Sequence, residues 1–279
     1  MLRGFKDIDR ILRGEVTRIA AVRDGTLKIP LGGVSLATLT LGLSYGFFMG
    51  WFALINRETP VYQQLLATTL KVPLLFLLTL VVTFPSLYVF NALVGSRLTA
   101  GAVFRLLMAG LAVTLAVLAS FGPITAFFSI TTDNYSFMVL LNVMLFAVAG
   151  ILGLSFLLRT LQRLSIALGE VARAIAPPPA QNAKDGAANG AGSAPKDAAP
   201  PESSRAEPGP LEPLEGHVLG SHVKAVFRCW VVIFALVGAQ MSWVLRPFIG
   251  DPKQPFEWFR GRESNFFEAL LNTIQSLVQ

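Results

Sequence analysis

Cysteine is almost missing from this chain: Cys229 stands alone among 279 residues, so no intrachain disulfide and no thiolate metal cluster can form. Histidine is nearly as scarce. His217 and His222 lie together at the end of a polar stretch, where such residues are more often solvated than ligating. The chain has no HExxH, no CxxC and no Gly-Lys-Ser/Thr phosphate loop. These gaps argue against a membrane metalloenzyme, and we assign no catalytic, cofactor-binding or metal-binding residue.

Charge is also short. Charged residues make up 14% of the chain and hydrophobic ones 53%, whereas a soluble domain carries about 25% charged residues. The formal net charge of +6 does not mark a nucleic-acid binder, because the basic residues sit beside long apolar runs and not in a basic domain interleaved with aromatics. No Asp, Glu, Lys, Arg or His falls in the central part of any apolar run. Proton-coupled carriers and pumps place ionisable groups there despite the cost, so that class is disfavoured. A channel or a facilitator of a neutral or anionic solute stays open.

What the chain does have is apolar runs of membrane length. Crossing a hydrocarbon core of about 30 Å takes roughly 20 apolar residues in a helix, which pairs its backbone groups internally. Five segments meet or approach this: Leu31 to Ile55, Val72 to Val94, Phe104 to Ile130, Phe137 to Leu158, and a shorter one from Cys229 to Leu245. Thr131 to Ser136 is too short for anything but a tight turn, so the third and fourth runs form an antiparallel hairpin. The expected fold is all-α, a polytopic integral membrane bundle of five transmembrane helices. Trp230 and Trp243 sit near the two ends of the fifth run, as interfacial aromatics do.

The basic residues orient the bundle. With the amino terminus in the cytoplasm, that side receives Arg3, Lys6, Arg10, Arg13, Arg18, Arg23, Lys28, Arg97, Arg105, Arg159, Arg163, Arg173, Lys224 and Arg228. The other side receives Arg57, Lys71, Arg246, Lys253, Arg260 and Arg262, the last four matched by Asp251, Glu257, Glu263 and Glu268. The positive-inside rule then puts the amino terminus in and the carboxyl terminus out. The first 30 residues carry seven Lys or Arg and four Asp or Glu ahead of any apolar run, unlike a cleaved signal peptide. The expected location is the bacterial cell (inner) membrane.

The domains follow from these boundaries: a basic amphipathic cytoplasmic helix over 1–28, a four-helix membrane region over 31–158, a helical extension over 159–176, a linker over 177–216, the fifth helix over 224–245, and a non-cytoplasmic tail with an amphipathic helix over 246–279. The linker opens on Pro177, Pro178 and Pro179, is rich in Ala, Gly, Pro and Ser, and has no aromatic residue. Such a composition cannot bury enough apolar surface to offset the entropy of ordering, so it is expected to be a disordered tether.

Small residues recur at helical spacing in Gly42, Gly46 and Gly50, in Ala112, Ala116 and Ser120, and in Ala149 and Gly153. Such faces let backbones approach closely, either within one bundle or between copies. Pro85 and Pro123 remove backbone donors and are expected to kink or break their helices. Asn91, Asn142 and Gln240 are the main amides in or near the runs, fit for interhelical hydrogen bonds or for a polar site. Phe5, Ile8, Leu12, Val16 and Ile19 give a helical stripe among Lys6, Arg10, Arg13 and Arg18, which suits a helix lying on an anionic leaflet. Leu161, Leu164, Ile166, Leu168 and Ile175 continue the fourth helix as a basic interfacial or projecting segment. Ser264 can cap a tail helix striped by Phe267, Leu270 or Leu271, Ile274 and Leu277, which would dock on the outer leaflet or on the bundle.

Lys71-Val-Pro-Leu-Leu, Pro85-Ser-Leu-Tyr-Val-Phe-Asn-Ala-Leu-Val-Gly-Ser-Arg and Phe121-Gly-Pro-Ile resemble bacterial Yip1-type membrane proteins over residues 30–160. The resemblance implies five membrane helices and a cytoplasmic amino terminus. The long linker and the tail Leu245-Arg-Pro-Phe-Ile-Gly-Asp-Pro depart from that pattern. Arg18-Ile-Ala-Ala-Val-Arg-Asp-Gly-Thr-Leu-Lys-Ile-Pro looks like the helix and Leu-Lys element of actin-binding WH2 motifs, with a shortened spacer. An amphipathic helix, a turn and a membrane-flanking lysine produce the same letters, and that plainer reading is adopted in place of actin binding. Taken together, the sequence reads as a non-enzymatic polytopic membrane protein acting as a scaffold or interaction partner. Its partners are the lipid bilayer and either another membrane protein or a second copy.

Overall fold

The computed structural model describes residues 2–14, 30–55, 61–93, 100–175, 221–251, 254–261 and 264–278. Among these residues the secondary structure is helical throughout: α1 Leu2–Leu12, α2 Leu31–Ile55, α3 Tyr62–Leu93, α4 Ala100–Ser120, α5 Gly122–Thr131, α6 Tyr135–Ile175, α7 Ser221–Leu245 and α8 Phe266–Val278. Four stretches are long and apolar enough to cross a membrane: Leu31–Ile55, Tyr62–Val89, Ala100–Thr131 and Tyr135–Leu161. The apolar part of α7, Cys229–Leu245, is shorter.

The ends of the helices have local causes. Gly14 takes φ 73°, open to glycine at little cost, and its N–H returns to the Ile11 carbonyl at 3.0 Å to close α1. Asn134 Oδ1 accepts from the Phe137 N–H at 3.0 Å and caps α6. The tail helix is capped by Asn265, whose Oδ1 accepts from the Glu268 N–H at 2.9 Å, and not by Ser264 as its sequence position suggested.

Prolines act unevenly. The third apolar run is two helices, because Pro123 cannot donate to the Ala119 carbonyl and the chain breaks at Phe121. Pro85, expected to kink or break its helix, lies with Pro73 inside an uninterrupted α3. That helix begins at Tyr62 and not at Val72, so it encloses Lys71. The fourth run and its extension are one 41-residue helix.

At the centre, α2 packs on α1, α3, α4 and α5. The glycine face points inward: a Cβ on Gly46 would sit 2.8 Å from the Thr68 carbonyl oxygen, and one on Gly42 would meet Pro73 Cβ at 3.0 Å. Gly50 faces Leu65 in the same way. This face therefore serves packing of α2 on α3 within the chain. Phe48 lies off it, with its ring against Gly122 at the α4–α5 break. Antiparallel α4 and α6 meet through Gly110 against Leu157 and Gly153 against Thr114.

The structure adds a packing role to α1, whose Phe5 and Leu12 remain exposed. Ile8 and Ile11 are 3% and 1% exposed within the main apolar core, and a Cβ on Gly4 would overlap the Gly33 carbonyl. Half of this helix is bolted onto α2 and α4, and the basic residues Arg3, Lys6, Arg10 and Arg13 occupy the outer side. Val16, Ile19, the WH2-like stretch and the 177–216 linker lie outside the described residues.

Candidate functional site

Along one face of α3 runs a stripe of buried and half-buried polar side chains. Gln64, Thr68, Lys71, Thr79 and Thr83 are buried and Ser86 is half-buried. Their spacings of four, three, eight, four and three residues return near whole turns of 3.6, which places them on one face. That face receives α7 and the chain after it.

Lys71 sits at its centre. Its Nζ donates to the Pro247 carbonyl at 3.2 Å and to the Trp258 carbonyl, and it lies 5.0 Å from the centroid of the Phe259 ring. Gln64 Nε2 donates to the Phe248 carbonyl at 2.9 Å, and Thr68 Oγ1 lies 2.5 Å from the same oxygen. Gly250 fits against Gln64 and Ala53, where a Cβ would come within 2.8 Å of Gln64 Cγ. The described residues within 246–261 form no helix or strand, so their carbonyls need side-chain donors once buried. An ammonium and an amide on α3 supply them. The Arg246 guanidinium stacks 3.6 Å from the Trp243 ring centroid and donates to the Gly261 carbonyl, while Trp243 Nε1 donates to the Ser264 carbonyl.

Farther along the seam Gly238 faces Thr79, and fully buried Trp230 donates through Nε1 to Ser86 Oγ at 3.2 Å. The hydroxyls of Thr79 and Thr83 turn back to the carbonyls of Leu75 and Thr79 at 2.8 and 2.6 Å. Such back-bonding satisfies a hydroxyl within its own helix, so this stretch accepts α7 without a buried unpaired donor.

A second polar contact lies inside the bundle. Tyr45 donates its hydroxyl to Asn142 Oδ1 at 2.7 Å, and Asn142 Nδ2 donates to the Met138 carbonyl at 2.8 Å. Phe146 packs edge-on against Tyr45 and stacks on Phe76. Asn142 is thereby an interhelical tie between α2 and α6. Of the other amides, Gln240 is exposed and the Asn91 side chain lies outside the described part, as do His217 and the His222 side chain. Cys229 is exposed. Among the described residues no three His, Cys, Asp or Glu side chains group as metal ligands do.

The seam was the part missed in the sequence, where Lys71 passes for a charge flanking a span. The signal was present as Gln64, Thr68, Lys71, Thr79, Thr83 and Ser86 on one face of a largely apolar helix. A second pattern also escaped notice: Gly42-Leu43-Ser44-Tyr45-Gly46 spells the GxSxG of a nucleophile elbow. These residues lie in the interior of α2, without the strand-to-helix turn that strains and exposes such a serine, and two of them belong to the glycine packing face.

No protein-family model, curated protein or solved structure matches the chain.

Proposed function

We propose that the protein is a non-catalytic scaffold of the bacterial cell membrane, with five spans, a cytoplasmic amino terminus and an external tail. The observation that carries this reading is the use made of the polar stripe on α3: its amide and ammonium hold carbonyls of the chain's own tail. A helix whose polar face grips another part of the same protein is a structural joint. The five-span arrangement is also what the resemblance to Yip1-type proteins implies. It treats the 17-residue run Cys229–Leu245 as a short span held in place by the seam.

The tail helix fits this arrangement. Ser276 Oγ lies 3.0 Å from Ser136 Oγ at the start of α6, which fixes α8 at the level where a span begins. Phe267, Leu271, Ile274 and Leu277 are 39–61% exposed along one side. On a membrane that side rests at the boundary between headgroups and acyl chains.

Two experiments test the proposal. After replacement of Cys229, single cysteines at Ser203 and Ser276 are probed in intact cells with a membrane-impermeant thiol reagent. The Ser276→Cys variant should react and Ser203→Cys should not, whereas the reverse pattern or reaction at both overturns the topology. Purified protein in liposomes should leave solute permeability at the level of empty vesicles. Robust flux of a neutral or anionic solute would replace the scaffold by a channel.

A further inference from the structure

The apolar part of α7 is 17 residues long, whereas the four longer candidate spans hold 25 to 32. At the helical rise it reaches about 25 Å, short of a hydrocarbon core of about 30 Å. The contacts of Ser86 with Trp230, Thr79 with Gly238 and Lys71 with Pro247 run α3 and α7 antiparallel. From Lys71 back to Tyr62, α3 therefore extends past the end of α7 and leaves a step there. The chain after α7 fills that step in two layers. In the inner layer Ile249 is 4% exposed within the core and Phe248 packs against it. The outer layer folds back on the inner one: the Arg260 N–H donates to the Arg246 carbonyl at 3.4 Å, and the Lys71 ammonium donates to the Pro247 and Trp258 carbonyls together. Trp258 and Phe259 of this outer layer are 47% and 59% exposed, and Phe256 packs edge-on against Trp258. At the same level of α3, Leu70 and Leu74 are exposed as well.

On the five-span reading proposed above, we infer that Trp258 and Phe259 form a lipid-facing aromatic cap that completes the short fifth span at the outer edge of the hydrocarbon. Irregular backbone is tolerated at membrane depth only where protein covers its polar groups. Here Lys71, Gln64 and Thr68 cover carbonyls of the segment from the bundle side, and the rings are what it turns outward. Large aromatic side chains suit the level where hydrocarbon meets headgroups. Trp243 marks that level independently, two residues before the end of α7 and with the Arg246 guanidinium on its ring. Charge selects no headgroup, since from Asp251 to Glu263 three basic residues match three acidic ones. The occupant is the interface of the outer leaflet itself, held by burial of the two rings and not by attraction to anionic lipid.

The test uses full-length protein, with Cys229 replaced, carrying single nitroxide labels in phosphatidylcholine liposomes. Collisions with oxygen, which partitions into lipid, are compared with collisions with a neutral nickel chelate, which stays in water. Labels at Trp258→Cys and at Phe259→Cys should meet oxygen more often than nickel. A label at Gln254→Cys, exposed at the turn that the Gln254 N–H closes on the Asp251 carbonyl, should show the reverse. Leu236→Cys, exposed in the middle of α7, reports the span itself and should meet oxygen. Nickel contact at 258 and 259 with oxygen contact at 236 overturns the cap and leaves the five-span reading standing, whereas nickel contact at 236 removes that reading and the cap with it. Equal collision ratios at 254, 258 and 259 also refute the cap. Adding phosphatidylglycerol should leave every ratio unchanged, and entry into lipid only in its presence would make the contact electrostatic and sink the proposal. Should the labelled variants fail to fold, the indole decides: Trp258→Phe should remove emission that brominated phosphatidylcholine quenches and acrylamide spares. Removal of acrylamide-quenched emission instead would overturn the cap.

Discussion

The two faces of α3 are joined to their neighbours by opposite means. On one face α2 arrives without side chains, and Gly42, Gly46 and Gly50 let its backbone touch Pro73, Thr68, Thr69 and Leu65. On the other, α7 and the tail arrive through hydrogen bonds to Ser86, Lys71, Thr68 and Gln64. Thr68 serves both, with its carbonyl against Gly46 and its hydroxyl against the tail. The contrast follows from what each neighbour brings. A regular helix has already paired its backbone, so in lipid it gains by close packing alone. The irregular segment after α7 brings unpaired carbonyls, and only donors can receive it.

The sharpest way to break this comparison is to fill the glycine face. In Gly46→Leu the new Cβ starts 2.8 Å from both the Thr68 carbonyl oxygen and Thr69 Cα, backbone atoms that cannot swing away. The helices must separate, at about 3 kcal/mol, the upper end of usual overpacking costs. A Cβ on Gly150 meets nothing within 4 Å, so Gly150→Leu serves as the control. Thermal unfolding in detergent should show Gly46→Leu well below wild type and Gly150→Leu beside it. Equal melting of the two variants would mean that the glycine contact carries no weight.

The polar face should respond in a different manner. Lys71→Met keeps much of the side-chain volume but leaves the Pro247 and Trp258 carbonyls without their ammonium donor, worth about 2 kcal/mol for a charged hydrogen-bond donor. The loss should be local: residues 246–261 should become more open to protease while α2, α4 and α6 keep their protection from hydrogen exchange. A uniform loss of protection would show that the seam and the glycine face form one cooperative unit, and the distinction between them would go.

How much of this was readable in advance depends on whether the cause was local. The apolar runs gave four helices of membrane length, Gly42, Gly46 and Gly50 announced a close approach, and Pro123 marked the break near Phe121. Each rests on a property of its own helix. The structure also gathers Lys71, Arg246 and Arg260 at one end of the bundle, three of the six basic residues that the charge distribution assigns to one side. Lys71 itself was misjudged because a lysine before an apolar run looks the same whether it reaches water or a carbonyl 176 residues away. Burial of Ile8 and Ile11 was equally hidden, since an amphipathic helix shows an apolar stripe whether lipid or protein covers it. Partner identity is a tertiary fact, and neither periodicity nor charge spacing carries it.

The smallest expected effect lies at the far end of the seam. Ser86→Ala removes the acceptor of the Trp230 indole N–H, and hydrogen bonds between membrane helices average about 0.6 kcal/mol because the unfolded chain in lipid also finds partners. Trp230 is fully buried, lies tilted against the Phe234 ring and keeps its packing in the variant, so little beyond that one bond is lost. Ser86 stands fifteen residues from Lys71 along α3, roughly 22 Å at the helical rise, and the two share no hydrogen-bond partner. Losses in Ser86→Ala/Lys71→Met should therefore add to within about 0.5 kcal/mol. Additivity means that α7 is held by separate points along a rigid helix. A double loss well above the sum would mean that either bond guards the whole seam, and α7 would then leave α3 as one piece.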